Sequence, residues 1–312
     1  MRQISIVLFF IGLMIPAAVH AADAGSDPAA GREVINLWPA GEMPHAIAVD
    51  FEEVNRGGSV SGVSVPQLIY CPSANRNTDA TVLVVAGGGY SNIALQHEGF
   101  NTADYLNERG IDCFVLKYRH RPYRQPAPLA DAQRAMRLIR MNAGKYGINP
   151  RKIGIIGYSA GGHLAASCST MFDEKVYDRE DDREVSARPD FSILVYPVIT
   201  MGPETHGGSR DNLLGPEPDA ALIEKYSCQN RVTDRTPPTI LFHCSDDDVV
   251  PVANSLLYYQ QLIAHGVDAE MHIYNLGGHG FGIPGRTDRT VQYWTEALDH
   301  WGDYVGRFIL GR

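Results

Sequence analysis

Ile153-Gly154-Ile155-Ile156-Gly157-Tyr158-Ser159-Ala160-Gly161-Gly162 runs from a short, continuous apolar segment into a GxSxG turn. A stretch of helical character, 160–170, follows directly. A continuous apolar strand is the kind that a sheet buries on both faces. A strand that turns abruptly into a helix forces its central residue into a strained backbone with an exposed side chain. The flanking positions must then lack bulk, which accounts for the glycines at 157 and 161. The helix start also aims free N–H groups at any charge that develops beside Ser159. Ser159 is therefore the candidate nucleophile. The competing reading is a tight structural turn without chemistry.

Outward from this turn, strand and helix signals alternate. Further strands are predicted over 81–86, 111–118, 192–198, 239–244 and 270–274, with 63–70 a strand interrupted at Pro66. Residues 100–109 read as a helix stopped by Gly110, and 255–265 as one capped by Gly266. Leu129, Ala132, Met136, Ile139 and Ala143 recur at helical spacing up to Gly147. Val291, Trp294, Leu298, Trp301, Val305 and Phe308 form the apolar stripe of a last helix. Apolar strands joined by crossover helices imply a mostly parallel central sheet with helices on both faces. Residues 199–236 lack periodicity and interrupt this pattern, and a loop that long in a compact domain is usually functional, so it is expected to be a short, lid-like insertion.

The 312 residues are 44% apolar, 9% aromatic and 20% charged. That composition excludes disorder, collagen or a coiled coil as the main architecture. Arg2, an apolar run over 4–15, Pro16 and Val19-His20-Ala21 have the layout of a secretory signal peptide over 1–21. The run is too short for an ordinary membrane span, and no later segment approaches that length. The expectation is an exported protein, periplasmic or extracellular, with no stable membrane insertion after cleavage. Residues 22–32 read as a flexible leader and 33–312 as a single α/β domain. A net charge of −9 without a Lys/Arg cluster argues against nucleic acid as a partner. The five cysteines, Cys71, Cys113, Cys168, Cys228 and Cys244, include no CxxC pair, so no metal site is expected. Cys113 and Cys244 lie in apolar strands, where a thiol is usually a small buried hydrophobe.

A serine nucleophile needs a base, and the base needs an orienting carboxylate. His279 sits in Gly277-Gly278-His279-Gly280-Phe281-Gly282, just past a strand's C-terminal end, where open parallel sheets form their sites. His265 lies at a helix end and His272 inside a strand. The carboxylate is expected after the strand 239–244, where Asp246-Asp247-Asp248 offers three choices. Ala86-Gly87-Gly88-Gly89-Tyr90 follows another strand and supplies backbone that can approach a substrate closely. It lacks the spacing of a phosphate-binding loop.

On these residues the chain resembles the α/β-hydrolase superfamily. More narrowly, it is similar to the secreted bacterial acetylxylan-esterase-like carbohydrate esterases, related to hormone-sensitive-lipase-type esterases. The resemblance covers residues 86–282 and rests on Ala86-Gly87-Gly88-Gly89-Tyr90, Leu116-Lys117-Tyr118-Arg119, Gly157-Tyr158-Ser159-Ala160-Gly161-Gly162-His163, Asp247-x-x-Val250-Pro251 with Asn254-Ser255, and Gly277-Gly278-His279-Gly280-Phe281-Gly282. It implies an α/β-hydrolase fold, Ser159 as nucleophile, His279 as base and Asp247 as the acid. It also implies oxyanion donors from Gly88 or Gly89 and Ala160. The sequence departs from the family pattern at Ala86, where a histidine is usual. Tyr90, His206 and Arg210 are expected substrate contacts, His97 and Glu98 are placed on the leaving-group side, and His163 is read as structural. No cofactor is called for. The implied function is a serine esterase that removes short acyl groups, acetyl above all, from plant-type polysaccharide or its oligomers. The alternatives are a general small-molecule carboxylesterase or peptidase of the same fold, and a non-catalytic binding protein.

Overall fold

The computed structural model describes residues 29–48, 50–283 and 290–306. The expected signal peptide, the first part of the expected leader and Phe308 lie outside these residues. The strands are β1 (Glu33–Asn36), β2 (Val54–Arg56), β3 (Ser59–Ser61), β4 (Gln67–Cys71), β5 (Thr81–Val85), β6 (Asp112–Lys117), β7 (Ile153–Tyr158), β8 (Phe191–Val195), β9 (Thr239–Cys244) and β10 (Ala269–Tyr274). The helices are α1 (Asn101–Glu108), α2 (Ala127–Met141), α3 (Ala143–Tyr146), α4 (Ser159–Thr170), α5 (Gly207–Leu214), α6 (Ala220–Tyr226), α7 (Ala253–Ala264) and α8 (Trp294–Tyr304).

Among the described residues one sheet has eight strands in the order β1-β4-β6-β5-β7-β8-β9-β10, while β2 and β3 pair separately. The run from β6 to β10 is parallel. β4 joins β6 antiparallel, and β1 joins β4 antiparallel. This is the α/β-hydrolase fold, a mostly parallel sheet with helices around it. β5, β7, β8 and β9 are buried along their whole length, whereas the edge strands β1 and β10 are partly exposed. Continuous apolar runs in the first group follow from burial on both faces. Leu129, Ala132, Met136, Ile139 and Ala143 are all buried, as are Val291, Trp294, Leu298, Trp301 and Val305.

The strand order reverses between β5 and β7. The chain leaves β5 toward β6 on one side, then crosses back to β7 on the other. The loops after β5 and β7 therefore diverge and open a crevice at the strands' C-terminal ends. The glycine run 87–89 and Ser159 are the two lips of that crevice.

Several sequence expectations need correction. The strand expected over 63–70 starts only after Pro66, because proline has no N–H to give a ladder. The one expected over 192–198 stops at Val195, where Tyr196 takes a positive φ of 37° ahead of Pro197. Residues 199–236 are not an irregular loop. They contain α5, capped by His206, and α6, capped by Asp219. Buried Asn254 fastens the start of this insertion, since its Oδ1 accepts the N–H groups of Ile199 and Thr200 at 2.9 and 3.1 Å. Arg32, at the end of the expected flexible leader, is tied down. Its Nη1 lies 2.7 Å from Cys71 Sγ, and its Nη2 contacts Asp104.

Candidate active site

Ser159 has φ +53°, the left-handed region that an L-residue with a side chain rarely occupies. The turn packs too tightly to relax. A Cβ on Gly161 would come 2.3 Å from the carbonyl oxygen of Val85, and one on Gly157 would come 2.4 Å from that of Gly161. Ser159 Oγ is thereby held at the start of α4, 2.9 Å from His279 Nε2. His279 Nδ1 lies 2.7 Å from Asp247 Oδ2. A carboxylate can only accept, so Nδ1 carries the proton and Nε2 accepts from the serine hydroxyl.

The three aspartates have separable surroundings. Asp247 is buried, and its Oδ1 accepts the N–H groups of Val249 and Val250 at 3.0 and 2.9 Å. Asp246 is exposed and accepts the N–H groups of Gly277 and Gly278, bracing the loop that carries His279. Asp248 is exposed. The geometry thus brings Ser159, His279 and Asp247 together.

Sequence reasoning missed His243. This imidazole is fully buried on β9, with Nε2 3.2 Å from Asp247 Oδ2 and 2.9 Å from the carbonyl oxygen of Val250. Its Nδ1 lies 2.8 Å from Ser255 Oγ. Two acceptors at Nε2 put the proton there, and the Ser255 hydroxyl donates to Nδ1. A histidine four residues before the expected acid, on the same strand end, was the available signal. Burial pushes the Asp247 carboxyl up, but hydrogen bonds from His243 and His279 outweigh it and hold the group well below the usual carboxylate range.

Opposite the serine, Gly88 has φ +130°, and a Cβ there would meet the carbonyl oxygen of Asn92 at 2.2 Å. The N–H groups of Gly88, Gly89 and Ala160 have no hydrogen-bond partner among the described residues, which leaves them available at the crevice. Gly87 is different, because its N–H donates to Glu98 Oε2 at 2.6 Å. The Tyr118 hydroxyl donates to the carbonyl oxygen of Ala86 at 2.9 Å. Glu98 and Tyr118 therefore hold the loop that lacks the usual histidine at 86.

The expected substrate contacts divide. His206 lies beside the crevice, with Cε1 3.7 Å from where a Cβ on Gly89 would sit. Its Nδ1 accepts the N–H of Ser209 as an N-cap, so Nε2 carries the proton as a donor. Burial, and next the charge that His279 can carry, lower its pKa. Arg210 pairs with its neighbour Asp211, and no contact among the described residues links it to Ser159 or His279. Tyr90 is not a substrate contact. It is fully buried, and its hydroxyl lies 2.8 Å from Nδ1 of His163, whose Nε2 faces the carbonyl oxygen of Tyr226. A tyrosine next to three glycines looks like a pocket wall in sequence, but φ +55° turns this one inward. His163 is structural as expected, and burial brings its pKa down to about 4. Glu98 lies behind the glycine loop, not on the leaving-group side. Exposed His97 reaches the carbonyl oxygen of Gly280 through Nε2 at 3.0 Å.

Tyr90→Phe is therefore expected to leave KM for esters unchanged. It strips a buried acceptor of its donor, so the urea midpoint falls by the equivalent of about 1–3 kcal/mol. Ester kinetics beside a denaturation curve check both halves.

A serine at the switch point of a parallel sheet, with an imidazole and then a carboxylate behind it, puts the chain in the α/β-hydrolase class. The match is narrower than the class. The BD-FAE family model matches residues 68–262, more than half of the sequence, and the chain belongs to that family. An acetylxylan esterase of Xylanibacter ruminicola is 40% identical over 207 residues, 65% of this chain and 41% of that protein. Endo-1,4-beta-xylanase B of Butyrivibrio fibrisolvens is 37% identical over 207 residues, 65% of this chain and 32% of that protein. The chain thus spans less than half the length of these two relatives. Among solved structures, the acetyl ester-xyloside bifunctional hydrolase of Caldicellulosiruptor lactoaceticus superposes with a TM-score of 0.79 at 41% identity, covering 88% of this chain and 96% of that one.

Proposed function

We propose that this protein is an exported serine esterase that removes short acyl groups, acetyl above all, from xylan-type polysaccharide or its oligomers. The observation that supports this most is the hydrogen-bonded line from Ser159 through His279 to Asp247, facing N–H groups on Gly88, Gly89 and Ala160 that have no partner among the described residues. Its substrate side is supported by the relatives named for acetylxylan, xylan and acetyl-xyloside chemistry. The case for export is the signal-peptide layout of residues 1–21.

In this reading Ser159 Oγ attacks the ester carbonyl while its proton passes to His279 Nε2. The carbonyl oxygen becomes an oxyanion and takes hydrogen bonds from Ala160 and from Gly88 or Gly89. His279 returns the proton to the sugar oxygen as the carbon–oxygen bond breaks, which leaves an acyl-enzyme. Water, deprotonated by the same imidazole, then attacks the acyl carbon and releases acid and free Ser159. Asp247 holds the imidazole tautomer throughout. His206, a neutral Nε2–H donor at the crevice, contacts the substrate.

The test is acetate released from acetylated xylan by the mature chain. Release above a no-enzyme control supports the reading. Hydrolysis of small acyl esters with no acetate from xylan moves the substrate to another acylated molecule and leaves the serine chemistry in place.

A further inference from the structure

Glu98 has no part in the steps above, yet it is one of the most buried carboxylates in the molecule, 5% exposed. Its two oxygens face two different walls of the site. Oε2 accepts the Gly87 N–H at 2.6 Å, one residue before the N–H groups expected to hold the oxyanion. Oε1 accepts the Tyr196 hydroxyl at 2.9 Å. The Tyr196 oxygen in turn accepts the Gly282 N–H at 3.2 Å, at the far end of the His279 loop. The Tyr196 ring packs against the His279 imidazole, with centroids 4.7 Å apart. One side chain thus joins the glycine loop, the support beneath His279 and the loop that carries it.

We propose that Glu98 is a positioning residue for the esterase reaction: as a buried carboxylate it fixes the oxyanion loop against the His279 loop and supplies a second negative charge behind the imidazole. The inference rests on the function proposed above.

The ionised form is the one the surroundings fit. Each oxygen already takes a donor, and a carboxylic proton on Oε1 would have to point at the Tyr196 oxygen, which would deprive the Tyr196 hydroxyl of the acceptor it has there. Burial raises the Glu98 pKa above the ordinary carboxylate value, and the Gly87 N–H, the Tyr196 hydroxyl, His97 and His279 offset only part of that rise. Tyr118 and Tyr158 also border it, both neutral because burial drives their pKa values up. On its other sides His279 meets Asp247, Ser159 and the neighbouring His206. When His279 takes the serine proton it becomes a cation between two carboxylates, Asp247 in contact and Glu98 beyond Tyr196. A charge placed there in advance stabilises that cation without reorganisation.

The test is Glu98→Gln, which keeps the shape and removes the charge. The amide accepts only one of the two donors and turns its NH2 group toward the other. The expected result on p-nitrophenyl acetate is a kcat about 10- to 100-fold lower with KM within a factor of about two. The acid limb of the kcat/KM profile is expected to move to lower pH, because losing a nearby negative charge makes imidazolium harder to form. A loosened loop alone lowers activity without moving that limb. Tyr196→Phe keeps the charge and cuts one bond, so its kcat falls several-fold with the acid limb in place. It also serves if Glu98→Gln does not fold. A folded Glu98→Gln, or failing that a folded Tyr196→Phe, with wild-type kcat and pH profile overturns the inference and leaves the esterase reading standing. A wild-type protein that neither hydrolyses esters nor takes a fluorophosphonate on Ser159 overturns both.

Discussion

Replacing Ser159 with alanine is expected to lower ester turnover by about 10⁴-fold or more, down to the residue left by binding and oxyanion contacts. No other hydroxyl stands in its place, since His279 Nε2 has Ser159 Oγ as its hydrogen-bond partner. Stability is expected to move the other way or not at all. The serine backbone sits at φ +53°, at a cost of about 1–3 kcal/mol for a residue with a Cβ. Alanine keeps the Cβ and so keeps that cost. Glycine removes it, so Ser159→Gly is expected to be equally inactive but to melt higher than Ser159→Ala. Turnover of p-nitrophenyl acetate, acetate release from acetylated xylan and two melting curves read the whole set. An alanine variant with more than a tenth of wild-type turnover rules out Ser159 as the nucleophile.

The part of the fold that was legible in the sequence is the part where burial leaves little choice. β9 matches its expected limits because Thr239 to Cys244 is buried on both faces and a polar run follows. Gly110 and Gly266 take positive φ at the helix ends they were expected to close, whereas the helix expected to run on to Gly147 ends at Met141 and Gly147 closes the short α3 instead. The edge was harder. β1 has a mixed pattern because it is mostly exposed, so the domain start expected at residue 33 was not recognised as a strand. The short pair β2 and β3 left one signal, the Gly57-Gly58 turn, with φ +60° and +85°. The insertion 199–236 hid two helices because α5 and α6 are short and carry few buried residues, so periodicity had little to act on.

The site divides in the same way. Ser159 and His279 were legible because backbone geometry demands glycines around them, and glycines are visible in a sequence. The choice among Asp246, Asp247 and Asp248 rested on resemblance, since all three are the same residue. Only the fold separates them, by giving Asp247 two backbone donors and two imidazoles, and Asp246 the N–H groups of the His279 loop. The inward turn of Tyr90 and the buried links of Glu98 and His243 depend on packing between segments far apart in the chain. No local pattern encodes them.

Asp247→Asn is expected to lower kcat by about 10⁴-fold while the fold survives, and the reason lies in where the amide must point. Oδ1 receives the N–H groups of Val249 and Val250, so the asparagine carbonyl is held on that side. The NH2 group then occupies the Oδ2 position, facing His279 Nδ1. A donor there makes Nδ1 the acceptor and moves the ring proton to Nε2. Nε2 can no longer take the proton of Ser159. The variant should therefore bind esters with near-normal KM, and nitrogen-detected NMR should find His279 as the Nε2–H tautomer. His243 loses one of two acceptors but keeps the carbonyl oxygen of Val250. Stability carries a second signature. The Asp247 carboxyl titrates below its unfolded value, so its contribution is present above an unfolded pKa of about 3.9 and fades as pH falls toward the folded one. The stability gap between wild type and variant is thus widest at neutral pH and narrows below about pH 4. Denaturation curves at both pH values measure it. An Asp247→Asn protein within tenfold of wild-type kcat takes Asp247 out of the mechanism and turns attention to Asp246.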